Sequence, residues 1–382
     1  MLNKQGSGTV SQVVAGIQWV VANRAANNIR VINLSLGHEV GESYTTDPLC
    51  QAVESAWKAG IVVVCAAGNN GRLNATQTAG QDNEGWGGAY GSIQSPANDP
   101  YVITVGAMKP KAIHTSVAPG DPFTYDRSKD QVATYSSRGP SRLDLVLKPD
   151  IVAPGNRVIS VFGYSAVTLA QFPENLISLS LYTDANSGLG KKDSYQYFQL
   201  SGTSMAAPVV AGAAALLLQA NPNLSPDTIK ARLMVSADKW LASDGSGDAL
   251  TYGAGYLNIA AALSCDVTPT QYALSPTLIV DSASQTLSLD PSLWGSSRQA
   301  LWGTQAIWGT QAVAGTQALW GAQAIWGTQA IWGDQAIWGN QAIWGNKAVW
   351  GSARQALWGN QAIWGLTGSA VDLTNTAING EK

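Results

Sequence analysis

Charge is scarce in this sequence: only 12% of the residues are charged, against roughly 25% in an average soluble domain. The formal net charge is -3. A nucleic-acid-binding protein needs a basic face, so nucleic acid is excluded as a partner. No apolar run is long enough to predict a membrane span. The 382 residues, 45% of them hydrophobic, suffice for one large domain or two smaller ones.

Cysteine is also rare. The three cysteines, Cys50, Cys65 and Cys265, share no metal-like spacing and do not indicate a disulfide framework. Cys65 lies in the apolar run 61–67, which predicts a buried, inert thiol. No residue is assigned to a metal or a cofactor. The first six residues contain no apolar segment and therefore do not form a signal peptide.

From Gly8 to about Ala262 the pattern alternates between helix and strand. The predicted elements are helices over residues 10–21 and 48–58 and buried strands over residues 31–34, 61–67 and 101–105. Continuous apolar strands separated by helices are typical of a parallel sheet that is covered on both faces. Ligands of such sheets bind beyond the carboxyl ends of the strands.

Two later helices have clear signals of their own. One is predicted to begin at Ser204 and to continue through an Ala/Val/Leu-rich stretch to about Ala220. Pro208 is expected in its first turn, where a missing N–H is tolerated. The other helix has Ser225 as its N-cap and Pro226 at its first position, which is a typical helix start.

A hexapeptide repeat, most often Ala-Ile-Trp-Gly-Thr-Gln, occupies residues 294–366. Its tryptophans fall at even positions, so a strand would place them all on one face, whereas a helix would scatter them and contain frequent glycine. Two interpretations stay open, namely β structure and a low-complexity spacer without a fixed fold. The weakly periodic residues 266–293 are predicted to be a linker, and residues 367–382 a tail.

A serine acts as a nucleophile when it is held in place and a base takes its proton. Ser204 stands in the run Gly-Thr-Ser-Met-Ala-Ala-Pro, at the start of an apolar helix whose N-terminus is the positive end of its dipole. A lone serine before a helix is usually only a cap. The whole heptapeptide, however, resembles the nucleophile motif of the subtilisin-like serine proteases, the subtilases. The resemblance extends over most of residues 1–263.

This resemblance implies a subtilisin-like α/β fold for residues 1–265, as the C-terminal part of a catalytic domain with a parallel sheet and helices on both faces. It implies that Asn69, in Ala-Ala-Gly-Asn-Asn-Gly, donates to the oxyanion, whereas Gly-Asn-Asn-Gly by itself is an ordinary turn signal. Other segments are similar to the family's substrate-binding strands. Those implied substrate residues are Gly6, Ser7, Gly8, Ser35, Leu36, Gly37, Ala66, Ala67 and Gly68. The resemblance also implies that Gly68 and the two alanines leave an open specificity pocket.

The family's triad occurs in the order Asp, His, Ser. The aspartate and histidine motifs belong upstream of the Gly6-Ser7-Gly8 strand, so we expect them outside this sequence. The two histidines present, His38 and His114, lack the glycine context of the triad histidine. We interpret both as surface or subsite residues. The isolated chain is therefore predicted to be inactive, because a serine without a base is a weak nucleophile.

The sequence thus predicts a serine-type endopeptidase that cleaves polypeptides through an acyl-enzyme at Ser204. Secretion is implied by the resemblance, as is calcium stabilisation, although no calcium ligands can be named. Two alternatives are kept. One is a catalytically dead relative that only binds peptide. The other is a surface or adhesive protein that acts, or self-associates, through the tryptophan repeat.

Overall fold

The structure is a computed structural model of the chain. It describes residues 8–74, 84–110, 127–162, 172–178, 195–240, 248–281, 286–289 and 376–381. The tryptophan repeat lies outside the described residues, as do Gly6, Ser7 and His114, so the predictions made for them stay predictions.

Short helices and strands alternate along the described chain. The helices are α1 (Val10–Asn23), α2 (Pro48–Lys58), α3 (Thr203–Ala220), α4 (Pro226–Val235), α5 (Ala249–Tyr252) and α6 (Ile259–Ser264). The strands are β1 (Val31–Leu34), β2 (Val62–Ala66), β3 (Arg72–Asn74), β4 (Trp86–Gly88), β5 (Ile103–Lys109), β6 (Gln131–Val132), β7 (Ile151–Pro154), β8 (Val158–Val161), β9 (Leu176–Ser178), β10 (Tyr195–Leu200), β11 (Leu278–Asp281) and β12 (Thr286–Leu289).

A parallel sheet in the order β1-β2-β5-β7 forms the centre of the fold, and β6 pairs antiparallel with β5. β2 and β5 are buried along their whole length, which explains their continuous apolar sequence. α3 packs along all four parallel strands, while α2 packs on β2 and against α1. The predicted α/β architecture is confirmed.

Side-chain caps determine where several helices begin. The Ser225 hydroxyl accepts the N–H of Thr228 at 3.1 Å, which confirms the predicted start of α4. Asp47 caps α2 by accepting the N–H of Leu49 at 2.8 Å. These signals are local in sequence, and for that reason the helix positions were predictable.

α3 differs from its prediction in two respects. It begins at Thr203, so Pro208 is its sixth residue and lies beyond the first turn. It is also apolar enough, over its 18 residues, to cross a membrane by length and composition, which the sequence analysis did not recognise. Eight of its side chains are nevertheless buried in the described fold, as expected of a helix that packs in a protein core.

The described part of the predicted linker 266–293 packs against the domain. Ala273 is buried, the N–H of Ser275 donates to the Pro100 carbonyl at 2.8 Å, and the N–H of Leu147 donates to the Pro276 carbonyl at 2.7 Å. β11 and β12 follow as an antiparallel pair. Low periodicity in this segment therefore reflects irregular backbone that is held by hydrogen bonds to the domain.

The three cysteines are free thiols. Cys65 is fully buried in β2, and burial raises the pKa of its thiol well above the ordinary value, which agrees with the inert role predicted for it. Among the described residues, no group of three or more His, Cys, Asp or Glu side chains is arranged to hold a metal ion.

Candidate active site

Two parallel strands end where the predicted site residues lie. β1 ends at Leu34, directly before Ser35, and β2 ends at Ala66, just before the segment that carries Asn69. Because the strands are parallel and Leu34 is in register with Cys65, both segments leave the same edge of the sheet. The start of α3 meets both segments at this edge, because Ser204 contacts Ser35 and Thr203 contacts Asn69.

Ser204 is the second residue of α3 and is half-buried. Its Oγ lies 3.5 Å from the carbonyl oxygen of Ser35. Its own carbonyl accepts the Ser35 hydroxyl at 2.7 Å. Among the described residues, the backbone N–H of Ser204 has no acceptor, as is typical of the first turn of a helix. The first turn contains no acidic residue, so the positive end of the helix dipole is not neutralised there.

Asn69 is fixed by Thr203. Its Oδ1 accepts the Thr203 backbone N–H at 2.9 Å and the Thr203 hydroxyl at 3.0 Å. The same hydroxyl oxygen accepts the N–H of Gly68 at 3.1 Å. With Oδ1 occupied, the Nδ2 amide of Asn69 is a donor without an acceptor in the described part of the chain. The arrangement differs from that of a turn asparagine, whose side chain bonds its own turn.

Gly202 allows this approach of Asn69 to the start of α3. Its φ is +143°, a backbone conformation that residues other than glycine rarely adopt. A Cβ at this position would lie 3.2 Å from Asn69 Nδ2. Glycine therefore serves here as the cap of α3 that leaves the asparagine amide in place.

A family model, that of the subtilase family, matches residues 1–256. The chain belongs to the subtilase family. Serine protease AprX of Bacillus subtilis (strain 168) is 38% identical over 263 residues, which are 68% of this chain and 49% of that protein. Subtilisin DY of Bacillus licheniformis is 33% identical over 262 residues, which are 69% of this chain and 65% of the relative.

Fervidolysin from Fervidobacterium pennivorans, a solved structure, is 28% identical with a TM-score of 0.44; the match covers 70% of this chain and 30% of that one. This subtilase chain spans less than two thirds of the length of the curated relatives named above.

The segments predicted to bind substrate frame one side chain that the sequence analysis missed, Gln94. A Cβ at Gly37 would lie 2.9 Å from Gln94 Oε1, and a Cβ at Gly68, whose φ is +111°, would lie 2.9 Å from Gln94 Cγ. The Gln94 N–H donates to the Ala67 carbonyl at 3.0 Å. The pocket expected to be open beside Gly68 thus contains the Gln94 side chain.

Two other predicted substrate residues of this subtilase chain differ in their exposure. Leu36 is half-buried, whereas Gly8 is exposed just before the N-cap of α1. Thr203 was missed as a site residue, although it is part of the heptapeptide that identified Ser204. Only the folded contact with Asn69 reveals its role in the geometry, since no spacing in the sequence relates residues 69 and 203.

His38 pairs through its backbone with Ser95: its N–H donates to the Ser95 carbonyl at 3.0 Å and its carbonyl accepts the Ser95 N–H at 2.9 Å. Its Nδ1 lies 2.8 Å from the Glu39 carbonyl. In the described part of the chain, Ser204 Oγ makes no hydrogen bond to a histidine. The position of His38 beside the substrate segment is compatible with a subsite residue, which stays a prediction.

Proposed function

We propose that this subtilase chain carries the nucleophile and the oxyanion-binding groups of a serine-type endopeptidase. Ser204 Oγ attacks the carbonyl carbon of a peptide bond while its proton passes to a base. The C–N bond then breaks, the amine leaves with a proton, and water hydrolyses the Ser204 ester. The observation that carries this proposal is the pair of hydrogen bonds from Thr203 to Asn69 Oδ1, which leaves the Asn69 amide as a donor beside Ser204.

Two donors are proposed to stabilise the developing oxyanion. They are Nδ2 of Asn69 and the backbone N–H of Ser204, neither of which has an acceptor among the described residues. Donors that are already oriented toward developing charge need no reorganisation during the reaction, which is the source of their catalytic effect. The start of α3 adds its dipole to the same region.

The proposed substrate is an extended polypeptide. The backbone of Ser35, Leu36 and Gly37 on one side and of Ala66, Ala67 and Gly68 on the other would pair with it as added strands do. Gly6, Ser7 and Gly8 are proposed for the opposite pairing strand. The side chain that precedes the cleaved bond would meet Gln94. The names of the relatives, a serine protease and a subtilisin, support a polypeptide substrate.

We propose further that the 382 residues alone do not turn over substrate, because Ser204 Oγ contacts the Ser35 carbonyl and no histidine among the described residues. The same observation favours a second candidate, a relative that binds peptide without cleaving it. Secretion, calcium binding and self-association through the tryptophan repeat stay predictions.

Covalent labelling distinguishes the two candidates. We expect the longest product of the gene that includes these residues to react with a fluorophosphonate and to hydrolyse a peptide amide, with the label found on Ser204 by mass spectrometry. Ser204→Ala should abolish both signals. His38→Ala should retain the label on Ser204, because Ser204 Oγ makes no hydrogen bond to His38. Binding of an extended peptide without labelling or hydrolysis would instead establish the non-catalytic relative.

A further inference from the structure

A short C-terminal segment docks onto the domain close to the candidate site. We name residues 376–381 the C-terminal segment. Thr376 and Glu381 are fully buried and Ile378 is almost so. Chain termini are usually exposed and poorly held unless specific contacts fix them. Here the contacts reach partners far away in sequence, such as Thr134, which is 247 positions from Glu381.

The Glu381 carboxylate is held in a pocket of donors. It lies 3.7 Å from Nη1 of Arg72 and 3.3 Å from Nζ of Lys109. Both of its oxygens accept the Thr134 N–H at 3.0 Å, and the Thr134 hydroxyl donates to it as well. Lys109 also pairs with Glu84. A carboxylate without solvent exposure is tolerated only with such opposite charges and hydrogen bonds, so the pocket is matched to one acidic side chain.

The backbone of the C-terminal segment is recognised as well. Asn156 makes two hydrogen bonds to Glu381, donating to its carbonyl at 2.7 Å and accepting its N–H at 2.8 Å. The N–H of Ser201 donates to the Ala377 carbonyl at 2.8 Å, and the Asn175 side-chain amide donates to the Ile378 carbonyl. Main-chain bonds of this kind are how proteins bind short peptides, with a side-chain pocket supplying the selectivity.

Gly380 provides a steric reason for the sequence of this segment. Its φ is +63°, and a Cβ on it would lie 2.4 Å from the Ser201 hydroxyl oxygen. Only glycine fits both this conformation and this contact. The surface that holds the segment therefore selects two adjacent residues: the close contact with Ser201 requires glycine at position 380, and the cations Arg72 and Lys109 require an acidic side chain at position 381.

The C-terminal segment binds two stretches of the chain, one with Arg72 and one with Ser201, that also carry the candidate site. Arg72 follows Asn69 closely in the chain, and Ser201 precedes Ser204 in the loop that leads into α3. Glu381 binds the first segment and Ala377 the second, so one docked peptide connects them. The segment does not contact Ser204 or Asn69 in any described hydrogen bond; any effect it has on them passes through Arg72 and Ser201.

We infer that Arg72, Lys109, Asn156 and Ser201 form a peptide-binding site that takes the chain's own Asn-Gly-Glu stretch, residues 379–381, with Glu381 as its anchor. Glu381 is a positioning residue: it acts on Asn69 and Ser204 through Arg72 and Ser201. The inference concerns a second site and does not depend on whether Ser204 performs catalysis.

Amide hydrogen exchange on three forms of the full chain tests the site: wild type, Glu381→Gln and a form that lacks residues 376–382. We expect the amides of Thr134 and Ser201 to exchange about tenfold faster or more in both variants. The Thr134 N–H donates to the Glu381 carboxylate, and the Ser201 N–H donates to the Ala377 carbonyl of the segment that this carboxylate anchors. Glu174→Gln, which changes an exposed carboxylate, is the control and should leave these amides unchanged.

Addition of a synthetic peptide with the sequence of residues 376–382 should restore the protection in the shortened form, whereas the same peptide with glutamine for glutamate should not. The side-chain amide NMR signal of Asn69 should shift on shortening and return with the first peptide, which a loss of stability alone would not produce.

Unchanged exchange in the shortened form would overturn the site, and so would equal rescue by both peptides. A side-chain amide signal of Asn69 that does not shift on shortening would overturn the positioning role of Glu381. Failure of Ser204 to react with a fluorophosphonate would count against the proposed catalysis and would leave these exchange results standing.

Discussion

The hydroxyl of Ser35 donates a hydrogen bond of 2.7 Å to the carbonyl of Ser204. In an uninterrupted helix that carbonyl would accept the N–H of the residue four positions later, which is Pro208 and has none. The proline therefore releases the carbonyl of the candidate nucleophile to the segment proposed to bind substrate. A helix and a loop that are far apart in sequence become coupled at one atom.

The double-mutant cycle of Ser35→Ala and Pro208→Ala tests this coupling. Ser35→Ala should lower the free energy of unfolding by about 1 kcal/mol, because it leaves the Ser204 carbonyl without its donor. In the Pro208→Ala background the new N–H at position 208 satisfies the carbonyl, so the same change should cost less. Urea denaturation of the four proteins gives the interaction energy. An equal cost of Ser35→Ala in both backgrounds would contradict the account.

Asn69→Ala should reduce turnover by the longest hydrolytic form of the protein. In subtilisin, the standard example of such a site, loss of the asparagine donor lowers kcat on the order of 10²–10³-fold, and we expect the same range here with KM little changed. The control is Thr203→Ser, which keeps the hydroxyl that bonds Asn69 and should stay within a few-fold of wild type. A loss of activity confined to KM would argue for a binding role only.

The helices and strands were largely predictable because their signals are local. The apolar run that contains Cys65 predicted β2, and the cap at Ser225 predicted α4. Ser204 was found from a contiguous motif. The contact of Thr203 with Asn69 was not predictable, since it exists only after α3 packs beside β2.

The errors have physical causes of the same kind. Pro208 lies beyond the first turn, as the sixth residue of α3, and such a proline is tolerated because Ser35, which is distant in sequence, donates to the carbonyl that it leaves free. The burial of Glu381 has no sequence signal at all: a polar terminus after a low-complexity repeat gives no sign of partners such as Arg72.

Gln94→Ala should change which side chain is accepted before the cleaved bond. Gln94 lies between the positions at which a side chain on Gly37 or Gly68 would project, so its removal enlarges the proposed pocket. We expect kcat/KM for aromatic over small side chains at that position to rise about tenfold or more. Gln51→Ala, a change of an exposed glutamine on α2, is the control. An unchanged ratio, measured with a set of peptide amides, would exclude Gln94 from the pocket.

Asp99 gives the fold a pH dependence that is independent of the site. Its carboxyl is fully buried: Oδ1 accepts the N–H of Tyr101 at 2.8 Å, and Oδ2 has no partner among the described residues. Burial raises the pKa of Asp99 from 3.8 to about 7, although the hydrogen bond from Tyr101 acts in the opposite direction. The folded chain therefore keeps this proton over a pH range in which the unfolded chain has lost it. The contribution of Asp99 to the free energy of unfolding therefore falls as the pH rises from about 4 to 7, by at most ~1.4 kcal/mol per pH unit.

Asp99→Asn removes this titration while it keeps the oxygen that accepts the Tyr101 N–H. The free energy of unfolding of the variant minus that of wild type should increase between about pH 4 and 7 and then level off, because above the folded-state pKa both states of the wild type are ionised. Urea denaturation at several pH values measures the difference. Asp266→Asn, at an exposed position, is the matched control and should show no such slope. A difference between Asp99→Asn and wild type that stays constant over this pH range would mean that Asp99 is ionised in the folded chain as it is in the unfolded chain, and that the charges of Lys148 and Lys230, which lower its pKa, compensate for its burial.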